Sequence, residues 1–305
     1  MRHFLSLLDV NPQELRHLLQ VASRLKAEWQ HGQRPNLLAG RVLGLVFEKP
    51  SLRTRASFEA GMAQLGGSSI FFSATDGPMG QREPIADFAR TLSSYVDLCV
   101  LRTFKHSTVE EFASYSRVPV INGLSDRDHP CQALGDLLTI QEVFGDLRGK
   151  TLVFVGDGNN VARSVAIGCG LAGVRFILAA PEGYGFDELF LQQFRQVAPE
   201  GELLVNGQPE HAVRQADIIY TDVWTSMGQE AERAERCRKF ADFQVNQTLL
   251  AQAPAQARLM HCLPAVRGEE ITAEAMEDRR SIIFLQAENR MHAQKALLLW
   301  LLGLA

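Results

Sequence analysis

Thr151-Leu-Val-Phe-Val-Gly-Asp-Gly-Asn-Asn-Val161 reads as an apolar strand, Thr151 to Val155, followed by a tight glycine turn into a helix. The same alternation runs outward in both directions. Downstream, Arg175 to Ala179, Glu202 to Val205, Ile218 to Thr221, Leu259 to Cys262 and Ile282 to Phe284 are strand candidates. Upstream, Asn11 caps a helix that has Pro12 at its first position and runs to about Trp29. A strand at Arg41 to Phe47 and a helix from about Ser51 follow. Then come a strand at Ser69 to Phe72, a loop at Thr75 to Glu83, and a helix at Ile85 to Tyr95. Next are a strand at Leu98 to Arg102, a helix at Thr108 to Tyr115 and a strand at Val118 to Asn122. Strands and helices alternating at this spacing indicate an α/β protein with parallel sheets made of βαβ units. A helix from Pro130 to about Val143 precedes the fresh strand at Thr151, so the expected domains are 1–145 and 146–285. The last apolar segment, about 286–305, is expected to be a buried helix that packs back on the first domain.

The chain has 305 residues, 46% hydrophobic and 22% charged, enough for two buried cores of roughly 150 residues each. A formal charge of −4 supports neither a nucleic-acid nor an anionic-membrane partner, which need clustered excess Lys and Arg. No apolar run approaches the ~20 residues that span a bilayer. The start, MRHFLSLLDVNPQELRHLLQ, resembles neither a signal peptide nor a transit segment. Cys99, Cys131, Cys169, Cys237 and Cys262 are too scattered for a zinc pattern or a disulfide scaffold, so reduced thiols in a cytoplasm are expected.

Six segments carry candidate chemistry. Phe47-Glu-Lys-Pro-Ser-Leu-Arg-Thr-Arg55 puts Ser51, Arg53, Thr54 and Arg55 where a strand turns into a helix. Free N–H groups, hydroxyls and guanidiniums there suit a phosphate, and a Ser cap followed by solvated arginines would look the same. The segment lacks the glycine spacing and the Lys-Ser/Thr ending of a P-loop. His129-Pro-Cys-Gln132 opens the domain-linking helix and can aim an imidazole and an amide at a ligand, or serve as helix punctuation. Gly156-Asp-Gly-Asn-Asn-Val161 looks like a dinucleotide turn, yet Val161 stands where the third glycine belongs. Asn159 and Asn160 suit a polar ligand or a left-handed turn equally. Tyr220-Thr-Asp-Val-Trp-Thr-Ser-Met-Gly228 sets Asp222 at a strand tip, as a partner for an ammonium or as a loop cap. Met260-His-Cys-Leu-Pro264 puts Cys262 at the sheet's carboxyl edge, where a structural thiol is the default. Glu288-Asn-Arg-Met-His292 opens the last helix with a guanidinium near its start, an unfavourable place for a purely structural cation.

Together, from the opening HFLSLLD to the closing QAENRMHAQKALL, these segments resemble the carbamoyltransferase family. SLRTR and HPCQ are similar to its carbamoyl-phosphate motifs, and DVWTSMG and HCLP to motifs of its ornithine-using branch. The resemblance implies two parallel α/β domains with the active site in the cleft between them, usually assembled as a homotrimer or a multiple of trimers. Carbamoyl phosphate would be held by Ser51, Arg53 and Thr54. Arg102 and His129 would polarise the carbamoyl oxygen. Gln132, the backbone at Cys262 and Leu263, and Arg290 would orient the carbamoyl group. Asn160, Asp222, Ser226 and Met227 would hold L-ornithine, with Cys262 beside the reacting amine. Catalytic roles thus fall on Arg102, His129 and Cys262. Leu52, Pro78 and Arg163 depart from the family's commonest residues.

The implied reaction needs no metal or organic cofactor: a neutral amine attacks the carbamoyl carbon and phosphate leaves. Its neighbours are transfer to aspartate or to a modified ornithine. An aspartate site would need extra cations for a second carboxylate. A nicotinamide-dependent oxidoreductase is disfavoured by Val161, and a non-catalytic binding protein by the complete set of reactive residues.

Overall fold

The computed structural model describes residues 1–305 except Gly77, Pro78 and Met227, so the positions of Pro78 and Met227 in the reading above lie outside the described residues. The chain divides into two units, one of Met1–Leu138 with Asn289–Ala305, the other of Thr139–Glu288.

The first unit begins with α1 (Pro12–Gln30), whose N-cap Asn11 accepts from the amides of Gln13 and Glu14 while Glu14 closes a capping box. Then follow β1 (Val42–Phe47), α2 (Leu52–Gln64), β2 (Ser68–Ser73), α3 (Ile85–Leu92), β3 (Leu98–Arg102), α4 (His106–Tyr115) and β4 (Val120–Leu124), and α5 (Pro130–Phe144) begins in this unit and ends in the second. All strand pairs are parallel, in the order β2-β1-β3-β4. Val46, Leu92, Leu101, Val109 and Phe112 fill part of the core.

From β1 the chain steps to β2 on one side, then crosses back to β3 on the other. The carboxyl ends of β1 and β3 therefore flank a topological switch point, where open α/β sheets leave a crevice for ligands. Phe47 pairs with Arg102 there, and a register shift between Leu101 and Arg102 marks a bulge of the kind that re-aims a side chain.

The second unit contains β5 (Thr151–Val155), α6 (Asn160–Ala172), β6 (Arg175–Ala179), α7 (Glu188–Val197), β7 (Leu203–Asn206), α8 (Pro209–Ala212) and β8 (Ile218–Thr221). It continues with α9 (Arg233–Lys239), α10 (Gln247–Gln252), β9 (Arg258–His261) and α11 (Ala273–Met276). Its parallel sheet has the order β7-β6-β5-β8-β9, so the switch point lies between β5 and β8. Strand β5 is buried along its whole length, as expected for a central parallel strand covered on both faces. Gly156 follows at φ +142, a backbone conformation that side chains other than glycine rarely adopt.

The expected strand at Ile282 to Phe284 is not formed. The Leu259 amide donates to the Arg280 carbonyl and the Leu259 carbonyl accepts from the Ile282 amide, enough for one bridge, Leu259 to Ser281, and the chain then enters α12 (Ile283–Leu301). Two isoleucines and a phenylalanine favour a strand locally, but the long run of helix formers behind them takes Ile283 and Phe284 into the helix's first turn. Arg290 consequently lies two turns inside α12, not near its start, where the helix dipole neither favours nor disfavours a cation appreciably. Smaller differences concern ends: α3 stops at Leu92, and β4 runs from Val120 to Leu124 rather than from Val118 to Asn122. No helix among the described residues is long and apolar enough to cross a membrane.

Candidate active site

In the first unit, Ser51 is the N-cap of α2. Its hydroxyl accepts from the Thr54 amide at 3.2 Å and donates to Thr54 Oγ1 at 3.0 Å. Arg290 Nη2 donates to the same Thr54 oxygen at 3.2 Å. With both lone pairs of that oxygen engaged, the hydroxyl hydrogen of the wholly buried Thr54 is left to donate to a further acceptor. Arg55 turns elsewhere, pairing with Glu59 at 3.0 Å and lying over the Phe71 ring, so the arginines of SLRTR divide between site and surface.

Arg102, at the bulged end of β3, is 6% exposed and forms no ion pair among the described residues, and its Nε has no hydrogen-bond partner there. Burial, then Arg290 and Arg53, pull its pKa down to about 10. Removing one guanidinium from water without a counter-ion is costly, and doing so beside two others is more so. Such a cluster is a site that expects an anion.

His129, just before α5, is held well below the usual imidazole range by burial first and then by Arg290, Arg102, Lys49 and Arg53. The ring is therefore neutral at pH 7, and a neutral imidazole offers one N–H as a donor. Gln132, 1% exposed, donates from Nε2 to Asp136 at 2.8 Å, and its Oε1 is buried with no hydrogen-bond partner among the described residues. That orphaned acceptor suits an N–H₂ group. Neighbouring Cys131 points to the Asn122 carbonyl at 3.4 Å, and burial pushes its thiol up to about 12, which makes it an inert packing residue.

Lys49 is a member of this cluster that sequence reasoning missed. It is 8% exposed, its ammonium lies 5.1 Å from the centre of the Phe104 ring, and no carboxylate among the described residues is within ion-pair distance. Burial, then Arg102, lower its pKa to about 8. Its place between strand and phosphate-like motif, in Phe47-Glu-Lys-Pro-Ser51, was the available signal. Gly135 explains how Arg290 is admitted: a Cβ there would lie 3.0 Å from the Arg290 Cα and Cγ.

In the second unit, the turn after β5, the tip of β8 and the tip of β9 are tied by Asp222. Its Oδ2 accepts from Asn159 Nδ2 at 2.8 Å, and its Oδ1 from the Val223 amide at 2.8 Å and the Cys262 thiol at 2.9 Å. Asp222 is 7% exposed, and no Lys or Arg among the described residues pairs with it. A buried carboxylate met only by neutral donors is the complement of a ligand's ammonium. Asn159, the N-cap of α6, makes the direct contact; Asn160 accepts from its own neighbour Val161 at 3.0 Å. The Ser226 amide donates within its loop to Gln229 at 3.1 Å. Arg236 anchors that loop by donating to the Trp224 carbonyl and pairing with Asp157. Arg163 is paired with Asp187 at 2.5 Å.

After β9, Leu263 adopts φ 59, the one described residue other than glycine with positive φ. Backbone held in this region by a branched side chain is characteristic of functional sites. One atom each of Asp222, His261 and Cys262 lies within 4.8 Å of the others, as metal ligands could. Both ring nitrogens of His261 are engaged, however, with Glu270 and with the Leu263 amide, so a cation would have to break those bonds.

Of the two parallel α/β units, one buries Arg102 and Lys49 with no carboxylate at ion-pair distance among the described residues, and the other buries Asp222 with no Lys or Arg among the described residues paired with it, an arrangement suited to an anion and to an ammonium at sheet switch points. The chain belongs to the aspartate/ornithine carbamoyltransferase family: residues 2–142 match its carbamoyl-phosphate-binding domain and residues 148–301 its aspartate/ornithine-binding domain. It is 50% identical to ornithine carbamoyltransferase of Anoxybacillus flavithermus over 99% of this chain and 96% of that one. The solved ornithine carbamoyltransferase of Pyrococcus furiosus is 47% identical, with a TM-score of 0.96 over 99% of this chain and 97% of that one. The anabolic ornithine carbamoyltransferase of Campylobacter jejuni is 36% identical, with a TM-score of 0.94 over 100% of both chains.

Proposed function

We propose that this protein is an ornithine carbamoyltransferase, moving the carbamoyl group of carbamoyl phosphate to the side-chain amine of L-ornithine to give L-citrulline and phosphate. The observation that carries the reading is the unpaired Arg102, buried beside Arg53, Arg290 and Lys49. Carbamoyl phosphate supplies the missing negative charge. Its phosphate takes Ser51, Arg53, Thr54 and the first-turn amides of α2. Its carbonyl oxygen takes Arg102, neutral His129 and the Thr54 hydroxyl, donors that gain as charge builds there in the transition state. Its N–H₂ meets acceptors, the orphaned Oε1 of Gln132 and the carbonyls at Cys262 and Leu263, while Arg290 orients the group. Ornithine's α-ammonium meets Asp222, and Asn160, Ser226 and Met227 hold the rest of its head. Cys262, hydrogen-bonded to Asp222, stands beside the reacting amine.

The step is one displacement: the neutral amine nitrogen bonds to the carbamoyl carbon, the carbon–oxygen bond to phosphate breaks, and the nitrogen loses a proton. Neither metal nor organic cofactor takes part. We assign the activity to arginine biosynthesis in the cytoplasm and the assembly to a homotrimer or a multiple of trimers. The test is citrulline formation from carbamoyl phosphate with ornithine, aspartate and N-acetylornithine in parallel, and ornithine is expected to be the one productive acceptor. Carbamoylation of aspartate instead would overturn the assignment. Sedimentation of the purified protein as three chains would support the trimer, and a monomer would refute it.

A further inference from the structure

His261 and Glu270 are buried, at 1% and 0% exposure, and the reaction described above uses neither. His261 Nδ1 lies 2.9 Å from the Leu263 amide nitrogen and must accept from it, since a backbone N–H can only donate. The ring hydrogen is therefore on Nε2, which donates to Glu270 Oε1 at 3.0 Å. The same Glu270 oxygen accepts from the Val266 amide at 2.6 Å, closing the far side of the loop. At its near end the His261 amide is fixed by Gln286 Oε1 at 2.8 Å. The loop His261–Val266 is thus laced to one imidazole, and inside it Leu263 sits at φ 59. Because the Leu263 N–H is consumed within the loop, this residue can present only its carbonyl, which accepts no hydrogen bond among the described residues.

We propose that Glu270 and His261 are a positioning pair: Glu270 fixes the imidazole tautomer, Nδ1 holds the Leu263 amide, and the left-handed Leu263 then presents a carbonyl acceptor to the carbamoyl N–H₂. This rests on the carbamoyltransferase reading and extends it to residues that touch no substrate. It also accounts for the strained leucine. Without the internal acceptor, Leu263 would relax toward negative φ and rotate its carbonyl away.

The test compares two variants that each keep half of the imidazole. In His261→Asn the amide oxygen occupies the Nδ1 position and can still accept from Leu263. In His261→Gln the amide nitrogen occupies the Nε2 position and keeps only the bond to Glu270. kcat/KM for carbamoyl phosphate is expected to fall at least tenfold further in His261→Gln than in His261→Asn. Inhibition by inorganic phosphate, which has no N–H₂ group, should differ less than twofold between them. Equal losses in the two variants, or a matching loss of phosphate inhibition, would overturn the proposal. Should His261→Gln fail to fold, Glu270→Leu against Glu270→Gln asks the same question, since glutamine keeps the acceptor oxygen and leucine does not; equal losses there overturn it too. Amide exchange across 258–265 is independent of activity and should be faster in His261→Gln than in His261→Asn. If the wild type forms no citrulline, the reaction assignment fails while this exchange still decides whether His261 sets the loop, equal rates refuting it.

Discussion

If the anion sits beside Lys49, its binding should be a proton-linked event with a definite sign. Its folded-state pKa of about 8 lies below the usual 10.5, because burial and the Arg102 charge disfavour the ammonium. A bound phosphate dianion reverses the second cause, so the complex binds a proton more tightly than the free protein. If binding restored the usual 10.5, the coupling would reach an upper bound of roughly 300-fold, about 3.4 kcal/mol. The phosphate, with a second pKa of about 6, is already a dianion above neutrality and adds little to the slope. Carbamoyl phosphate affinity, measured without ornithine, should therefore weaken about tenfold between about pH 7 and about pH 9, as the free lysine loses its charge. Titration calorimetry at about pH 8, in two buffers of different ionisation heat, should show uptake of about half a proton per site. Lys49→Gln should bind more weakly at neutral pH and lose both the slope and the uptake. Binding independent of pH across that range in the wild type, with no proton taken up, would refute the placement of Lys49 against the anion.

Arg53→Ala should weaken carbamoyl phosphate by about 1.5 to 3 kcal/mol, the worth of a charge-assisted bond, in calorimetry, and change the ornithine KM far less. Asp222→Asn should leave carbamoyl phosphate binding nearly intact while strongly raising the KM for ornithine in steady-state kinetics; a selective rise in the carbamoyl phosphate constant would put Asp222 with the wrong substrate. Gly135→Ala would press a methyl group to 3.0 Å from Arg290 and should destabilise the fold by about 1 to 3 kcal/mol in urea denaturation. Lys49 carries a depressed folded-state pKa, so the unfolded chain binds more protons between about pH 8 and about pH 10.5. Removing it in Lys49→Gln should therefore flatten a rise in wild-type stability across that window, read from urea midpoints.

The sheets were legible because their central strands are short apolar runs between turn signals. β3, β5, β6 and β8 have the limits expected from sequence, and Ser51, Asn11 and Pro12 mark helix starts by local chemistry. Where local preference and tertiary context disagree, the reading failed. Ile282 to Phe284 has the composition of a strand, and only the pairing available beside Leu259 and the helix behind it decide otherwise. The motifs named most of the charged groups but not their company. Lys49 looks like an ordinary surface lysine until folding buries it against Arg102. Asn159 and Asn160 are indistinguishable in sequence, and their order at the helix cap turns the first toward Asp222. His261 and Glu270 are nine residues apart with no spacing rule to join them, since a loop and not a helix brings them together.

What unites the two units is incompleteness of a particular kind. Native proteins seldom bury a charge without a partner, because the desolvation cost is not returned. Here the first unit buries Arg102 and Lys49 with no carboxylate at ion-pair distance among the described residues, and the second buries Asp222 with no cation. Cheap local remedies exist elsewhere in the same chain: Arg236 has Asp157, Arg163 has Asp187 and Arg55 has Glu59. The sequence therefore does supply counter-ions where it needs them, and in the proposed function Arg102, Lys49 and Asp222 are the groups left for substrates to meet. Each deficit has its complement in one proposed substrate, a phosphate dianion for the first and an ammonium for the second. The overall charge of −4 conceals this, because the recognition depends on where single charges are buried and not on their sum. Under the proposed function, a ligand that satisfied only one deficit would leave the other in place, so each substrate is expected to meet a deficit that the other cannot.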